Sequence, residues 1–180
     1  MLGLTQLPQL VAEGVTLRPF LDSDQDLVLE VATDPYIPTI TTVPATADPA
    51  TAAAFIHRQH ARLIDGAGFS FAIADAGTDE PLGQMGLWPI SDSGRASIGY
   101  WIAARHRGRG LAATALRVVS AWALDTLPTI DRLELYVEPG NAASWHTAEA
   151  AGFLREGLLR SWKRVGQQRR DMFMYSRLRL

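Results

Sequence analysis

The sequence predicts a single α/β domain of the α+β kind, built on one mixed sheet of about six to seven strands with helices on both faces. Short segments of alternating apolar residues are interleaved with segments of helical period along residues 1–180. That length suffices to bury one core. The sequence has no internal repeat, low-complexity segment or linker. One domain covering the whole chain is therefore expected.

The first half of the chain alternates strands with helices. Strands are predicted at residues 15–18, 69–74, 82–88 and 95–103, and helices at residues 22–33 and 49–63. Ser23 and Asp26 have the spacing of a capping box at the start of the first helix. Residues 37–49, rich in Thr and Pro, have no period and are expected to form a loop that borders a site. A turn is expected from Asp92 to Gly94.

The second half has stronger periodicity. Residues 110–125 are apolar nearly all round, which predicts a largely buried helix. Residues 132–138 alternate, which places Glu134 and Glu138 on the face opposite the apolar residues. A helix at 141–151 follows, and then two long strands at 153–163 and 168–179 that meet around Gly166.

Composition excludes several classes of protein. Hydrophobic residues make up 47% and charged residues 20% of the chain, as in soluble globular proteins. No apolar run approaches the ~18 residues of a membrane-spanning helix, and the N-terminus lacks the features of a signal peptide, so no membrane partner and a cytoplasmic location are expected. Without cysteine there is no thiolate nucleophile and no Cys-based zinc site.

Charge is unevenly distributed along the chain, although the net charge is only −2. Residues 155–180 contain eight basic residues against Glu156 and Asp171. Such a segment can bind a polyanion, but arginines scattered at this spacing are more typical of a solvated strand face. Nucleic acid is therefore not expected as a partner.

A short Arg- and Gly-rich segment, Arg105-His106-Arg107-Gly108-Arg109-Gly110, lies between the strand at 95–103 and the buried helix. Glycines at 108 and 110 allow a tight turn and close approach of the backbone to a ligand. The free N–H groups and the dipole of the following helix favour an anion there. The segment predicts a diphosphate site.

Two other interpretations of this segment remain open. It can be a solvated basic turn, since short Gly and Arg patterns arise easily by chance. Gly108, Gly110 and Ala113 also match the G-x-G-x-x-A turn of dinucleotide-binding folds. That motif directly follows its strand, whereas about five residues intervene here and the preceding strands have the pattern of antiparallel hairpins.

The same segment resembles the acyl-CoA loop of the GNAT superfamily, [Gln/Arg]-x-x-Gly-x-[Gly/Ala], through Arg105, Gly108 and Gly110. The resemblance extends along about the whole chain to the branch that includes the Rim-type ribosomal-protein N-acetyltransferases. The segments that carry it, in that branch's order, are Thr16-Leu17-Arg18-Pro19, Asp22 to Asp26, Ile98-Gly99-Tyr100-Trp101-Ile102, the Arg-Gly loop, Val137-Glu138-Pro139-Gly140-Asn141, Ser144, Glu149, Gly152-Phe153 and Glu156-Gly157.

The resemblance implies a GNAT fold in which acyl-CoA lies between two splayed strands. It implies N-acetyltransferase activity, with acetyl-CoA or another acyl-CoA as co-substrate, no metal, and an amine acceptor such as a protein N-terminus or a small molecule. The residues implied to bind the co-substrate are Tyr100, Trp101, Ile102, Arg105, Arg107, Gly108, Arg109, Gly110, Leu111, Ala112, Asn141 and Ser144. A homodimer and a catalytically silent acyl-CoA-binding module stay open as alternatives.

Ser144 is the catalytic residue that the resemblance implies, as proton donor to the leaving thiolate, whereas Asn141 contacts the pantetheine region. A simpler interpretation treats Asn141 as a helix N-cap and Ser144 as a residue of the first turn. Many relatives have an acidic residue where Ser97 stands. Without it, the base is Glu134, Glu138 or water.

Two further patterns have ordinary explanations. His57 and His60 stand one helical turn apart, but no third ligand is evident and a surface helix is expected. The first 50 residues contain seven acidic residues against Arg18. These would suit a cationic acceptor, and helix-surface charge explains them equally well.

Overall fold

The computed structural model describes residues 4–91 and 93–180, so Asp92 of the predicted turn lies outside the described residues. One sheet of eight strands has the order β1-β2-β3-β4-β5-β6-β8-β7. The strands are β1 Leu10–Ala12, β2 Val15–Arg18, β3 Phe69–Asp75, β4 Pro81–Ile90, β5 Arg95–Ile102, β6 Arg132–Val137, β7 Leu154–Val165 and β8 Gln168–Leu178. The mixed α/β fold is confirmed. The sheet is larger than predicted because β1, only three residues long, has no periodic signal.

The helices are α1 Gln25–Val31, α2 Ile37–Ile40, α3 Pro49–Ile64, α4 Leu111–Thr126 and α5 Ala142–Ala150, with 3-10 turns at Asp22–Asp24 and Ala104–His106. Two expectations were wrong. The segment 37–49 is not all loop, since α2 forms where the Asp34 carboxylate accepts hydrogen bonds from the N–H groups of Tyr36 and Ile37. Ser23 and Asp26 do not form the cap; Asp24 accepts from the Leu21 N–H instead.

Two apolar cores lie on opposite faces of the sheet. One is formed against α4 and α5, and the other against α1, α2 and α3. Helix α4 buries seven of its residues, as its apolar sequence predicted. On this face Trp122 packs edge-on against both Phe69 and Phe71. Within residues 4–91 and 93–180, none of the helices combines the length and the hydropathy that a membrane span requires.

Strands β5 and β6 form the one parallel pair among the described strands, and they separate part of the way along. Their pairing ends at Ser97 and Glu134, and β6 then continues beside β8 to Val137. The residues of β5 from Ile98 onward therefore have a neighbour only on the β4 side. The predicted pair of splayed strands is confirmed.

A buried carboxylate, Glu134, lies at the last paired position before the strands separate. Glu134 has no exposed surface, and its Oε1 accepts from Arg95 at 3.2 Å and from Arg132 at 2.9 Å. Its Oε2 accepts from the Tyr136 hydroxyl at 2.6 Å. Because a buried charge is tolerated only when paired, these contacts hold the first residue of β5 against β6.

Candidate active site

The gap between β5 and β6 opens into a cavity of about 1050 Å³. The N-termini of α4 and α5, the segment around α2, and the β7–β8 hairpin border it. The sequence-predicted residues that line it are Tyr100, Trp101, Ile102, Arg107, Gly108, Arg109, Gly110, Leu111, Ala112, Asn141 and Ser144. The fold thus brings together all but Arg105 of the predicted set.

The free edge of β5 presents backbone groups to the cavity. Strand β5 pairs with β4 through Trp101 and Gln84, and the next bond toward β4 runs from the Ala103 N–H to the Leu82 carbonyl at 2.9 Å. Because backbone groups alternate sides along a strand, the N–H groups of Tyr100 and Ile102 face the gap. An extended ligand arm could pair with this edge as an added strand would.

Trp101 contributes to the cavity chiefly through its position on β5. Its indole belongs to the core beneath α1 and α3 and is 5% exposed. The indole N–H donates to Gln84 Oε1 at 2.7 Å. The side chain therefore fixes the strand in place.

The Arg-Gly loop has the backbone that its glycines predicted. Gly108 and Gly110 have φ of +77° and +76°, a conformation that side chains disfavour, and a Cβ at either would meet no atom within 4 Å. Helix α4 begins directly after Gly110, whose carbonyl accepts from Ala113 and Thr114. The N–H groups of Leu111 and Ala112 precede these bonds and are free for an anion. A loop of this geometry could hold a diphosphate.

The three loop arginines have different partners. Arg105 does not line the cavity; its guanidinium pairs with Glu30 and also contacts Glu80 at 3.1 Å. Arg109 lines the cavity, is half-exposed, and has a carboxylate, Asp75, only at 3.9 Å. Of the three, Arg109 is the least committed to other protein groups.

Arg107 joins the loop to two other elements. Its Nε donates to the Ile102 carbonyl at 3.0 Å, and its terminal nitrogen contacts Asp34 at 2.6 Å. Burial acts against ionisation of Asp34, but the Tyr36, Ile37 and Arg107 donors lower the pKa of this carboxyl. A charged Asp34 therefore ties α2 to the end of β5.

Asn141 and Ser144 meet Tyr100 at the start of α5. Asn141 Oδ1 accepts from the Ser144 N–H at 3.1 Å, so the N-cap interpretation of Asn141 is confirmed, and Asn141 also lines the cavity. The Ser144 hydroxyl lies 2.9 Å from the Tyr100 hydroxyl. Burial raises the pKa of Tyr100, which keeps this hydroxyl protonated.

Glu134 and Glu138, the two carboxylates that the sequence leaves as candidate bases, have different surroundings. Both oxygens of Glu134 accept hydrogen bonds, and these donors lower the pKa of Glu134 despite its burial. Glu138 lines the cavity and accepts from the Tyr36 hydroxyl at 2.6 Å. Burial and this bond raise the pKa of Tyr36, so the Tyr36 hydroxyl stays a donor. The second oxygen of Glu138 lies 4.0 Å from Arg170 Nε.

Among the lining residues that the sequence did not predict are Tyr36, Arg62 and Lys163. Tyr36 stands just before the segment predicted to border a site, which was a usable signal. Arg62 and Lys163 lie on two separate elements whose approach depends on tertiary structure.

The described residues contain no group of three or more His, Cys, Asp or Glu that could hold a metal ion. His60 donates from its ring Nε2 to the Phe20 carbonyl at 2.7 Å, a contact that joins α3 to the loop that follows β2. This bond accounts for His60 as a structural residue.

Comparisons with known proteins agree with this geometry. Residues 15–154 match the family described as an acetyltransferase (GNAT) domain. The chain is 29% identical over 171 residues to an uncharacterized N-acetyltransferase, p20, of Bacillus licheniformis, covering 94% of this chain and 96% of that protein.

Solved structures of Rim-type enzymes have the same fold. RimJ of Mycobacterium smegmatis, in complex with a CoA disulfide, superposes with a TM-score of 0.78 at 26% identity, covering 95% of this chain and 85% of that one. RimL, a ribosomal L7/L12 alpha-N-protein acetyltransferase in complex with coenzyme A, gives 0.80 at 19% identity over 95% and 98%. With a family match over most of its length, the chain belongs to the GNAT family and is an acyl-CoA-dependent N-acetyltransferase.

Proposed function

We propose that this enzyme transfers the acetyl group of acetyl-CoA directly to a primary α-amine, as found on a peptide or protein N-terminus. One observation carries the proposal: a single cavity holds the free edge of β5 and the Tyr100–Ser144 pair together with the Glu138 carboxylate. Donor groups and a proton acceptor thus face one space. The names of the Rim-type neighbours support an α-amine as acceptor.

The Arg-Gly loop would hold the diphosphate of the co-substrate. The N–H groups of Leu111 and Ala112 and the guanidinium of Arg109 supply donors of the required kind. The N–H groups of Tyr100 and Ile102 would align the pantetheine arm along β5. One of them, near Ile102, would stabilise the oxyanion that develops on the thioester carbonyl.

Glu138 would accept the proton of the acceptor amine. The amine nitrogen forms a bond to the carbonyl carbon as the C–S bond breaks, and the amine loses one proton to Glu138. An α-amine has an ordinary pKa of ~8, against ~10.4 for a lysine side chain, so it needs less assistance. The Tyr36 hydroxyl holds Glu138 in place at 2.6 Å.

Ser144 would return a proton to the departing sulfur. Its hydroxyl is hydrogen-bonded to the protonated Tyr100 hydroxyl, so the pair can supply one proton and be refilled from solvent. Because an ordinary thiol has a pKa of ~8.5, the thiolate leaves tolerably without help and the contribution should be moderate. No covalent enzyme intermediate is needed.

A silent acyl-CoA-binding module was the second hypothesis, prompted by the serine at position 97. Ser97 does line the cavity, but so does the carboxylate of Glu138. Glu138 would therefore serve as the proton acceptor without an acid at position 97. No observation favours the silent module.

Thiol release from acetyl-CoA tests the proposal. The enzyme is incubated with peptides that have a free N-terminus and with matched N-terminally blocked peptides that contain a lysine. We expect release only with free α-amines, at a rate that depends on peptide concentration. Release with neither peptide, from a protein that binds acetyl-CoA, would contradict the proposal.

A further inference from the structure

Two cations border the cavity near α2 with no carboxylate in direct contact, and Glu138 acts on Lys163 only from a longer distance. Arg62 donates to Gln59 Oε1 at 2.9 Å and to Thr42 Oγ1 at 3.3 Å, and Lys163 donates to the Ile40 carbonyl at 3.4 Å. These acceptors are all neutral. Within residues 4–91 and 93–180, no Asp or Glu oxygen lies within 4.0 Å of either cation.

The two cations meet the same short segment. Ile40 and Thr42 are two residues apart, so their Cα atoms are separated by at most about 7 Å. Arg62 reaches the segment from α3 and Lys163 from the β7–β8 hairpin. Both residues line the cavity, as do Ile40 and Thr42. Positive charge from two elements therefore converges on one wall.

Arg62 is poorly compensated where it lies. It is half-buried, and this burial together with the nearby Arg58 lowers the pKa of Arg62. A guanidinium that loses water without gaining a counter-charge is costly. An anionic ligand would offset that cost.

An aromatic surface adjoins this wall. The Trp88 indole lies across Gly86 and Gly99, where a Cβ would fall 2.3 Å from its Cζ2 and 3.3 Å from its Cζ3. The Arg62 guanidinium lies 5.7 Å from the Trp88 ring centroid. Trp88 also pairs across the sheet with Ser97. This wall is thus aromatic and basic.

The acidic residues near the N-terminus do not supply a negative wall. Asp24 pairs with Arg18, Glu30 with Arg105 and Asp34 with Arg107. Among the described residues that line the cavity, Glu138 is the one carboxylate. Three of the seven acidic residues in the first 50 are therefore paired internally, and none of the seven lines the cavity, so a polycationic acceptor has little to bind there.

We infer that the acceptor carries a carboxylate close to its amine, with the amine directed to Glu138 and the carboxylate to Arg62 and Lys163. This inference rests on the proposed function, since it assigns the acceptor of the same site. This carboxylate can belong to an acidic side chain near a peptide N-terminus or to the free C-terminal carboxyl group of a short peptide. Charge-assisted hydrogen bonds from Arg62 and Lys163 to this carboxylate would make the enzyme prefer such acceptors.

Four peptides of one length test the inference and separate the two sources. Three are C-terminal amides that begin Ser-Asp, Ser-Asn or Ser-Lys, and the fourth is the Ser-Asn peptide with a free C-terminal carboxylate. We expect kcat/KM for the Ser-Asp amide to exceed that for the Ser-Asn amide about tenfold or more. The Ser-Lys amide should be the poorest. If the enzyme instead recognises the C-terminal carboxylate, the fourth peptide should have the higher kcat/KM relative to the Ser-Asn amide.

Variants then assign the preference to the two cations. In Arg62→Gln and Lys163→Met, the ratio of kcat/KM for the preferred acidic peptide to that for the Ser-Asn amide should fall toward 1. Arg160→Gln, an exposed residue of the same hairpin that does not line the cavity, removes the same charge and should keep the ratio. Equal use of acidic and neutral peptides, or a ratio unchanged in both variants, would overturn the inference alone. Acetylation of none of the peptides would overturn the proposed function with it.

Discussion

The Tyr100 hydroxyl lies 2.9 Å from the Ser144 hydroxyl, across the gap between β5 and α5. The sequence alone does not predict this contact, because Tyr100 lies in a predicted strand and Ser144 in the first turn of a predicted helix. The splay of β5 from β6 is what lets the first turn of α5 approach β5. We treat the two hydroxyls as one proton-donating unit.

Removing either hydroxyl should lower kcat. We expect Ser144→Ala to lower kcat about 10²-fold while changing KM for acetyl-CoA little, since the proton is needed only as sulfur departs. Tyr100→Phe should have a similar effect, and the double variant should be little worse than either single one. Steady-state kinetics measure this. Ser120→Ala, which removes a buried hydroxyl of α4, is the control. A Ser144→Ala enzyme with unchanged kcat would leave Ser144 a packing residue.

Glu138→Gln should lower kcat/KM for the acceptor about 10²-fold near neutral pH, because the amine then loses its proton without a carboxylate. The loss of kcat/KM relative to wild type should become smaller as the pH rises past ~8, the ordinary pKa of an α-amine, because the amine is then already neutral. The pH profile of kcat/KM measures both effects. Glu13→Gln, an exposed site in the β1–β2 turn, is the matched control. A deficit of equal size at pH 7 and pH 9 would indicate that Glu138 only positions the acceptor.

Arg109→Ala should weaken acetyl-CoA binding about tenfold, since Arg109 lines the cavity without a close carboxylate. Arg105→Ala should have a smaller effect, because Glu30 and Glu80 already engage its guanidinium. Added salt should reduce the difference between wild type and Arg109→Ala. Calorimetric titration gives the affinities, with the exposed Arg117→Ala as control. A larger loss in Arg105→Ala than in Arg109→Ala would show that the loop rearranges around the ligand.

Stability at acid pH should depend on Glu156. Arg132 and then Ser176 lower the pKa of Glu156 from its ordinary value of 4.5 to about 2. Since the folded-state pKa is depressed, the stabilisation is complete above about 4.5 and is lost as pH falls from there through 2. The side chain is 41% exposed, so solvent moderates the effect. Urea unfolding should find Glu156→Gln less stable than wild type at pH 6, with a gap that narrows toward pH 2. A difference in stability between wild type and Glu156→Gln that stays constant with pH would show that protonation of Glu156 is not linked to folding.

Much of the fold could be predicted because its long elements have a clear period. Helix α4 and strand β6 lie within a few residues of their predicted bounds. β1 and α2 were missed because three or four residues do not establish a period. α2 in addition depends on the Asp34 carboxylate at its start.

The site was harder to predict where it depends on contacts between distant elements. The alternation of β6 placed Glu134 and Glu138 on one face, yet Glu134 is buried by Arg95 of β5, whereas Glu138 follows the end of the strand and reaches the cavity. Arg105 fits the sequence motif, but its guanidinium pairs with Glu30 of α1. Local sequence identifies the Arg-Gly loop, and tertiary charge pairing decides which of its arginines stays free.

The central claim is that the Arg-Gly loop binds the diphosphate of acetyl-CoA. Binding of acetyl-CoA to the Gly108→Val variant tests this claim most directly. Gly108 and Gly14 have nearly the same φ, +77° and +75°, and a Cβ at either meets no atom within 4 Å. Valine should therefore cost each site a similar ~1–2 kcal/mol of stability, but only position 108 faces the proposed diphosphate. By calorimetry, we predict a Kd for acetyl-CoA at least about tenfold higher in Gly108→Val and unchanged in Gly14→Val. Wild-type affinity in a folded Gly108→Val protein would contradict the account of the site.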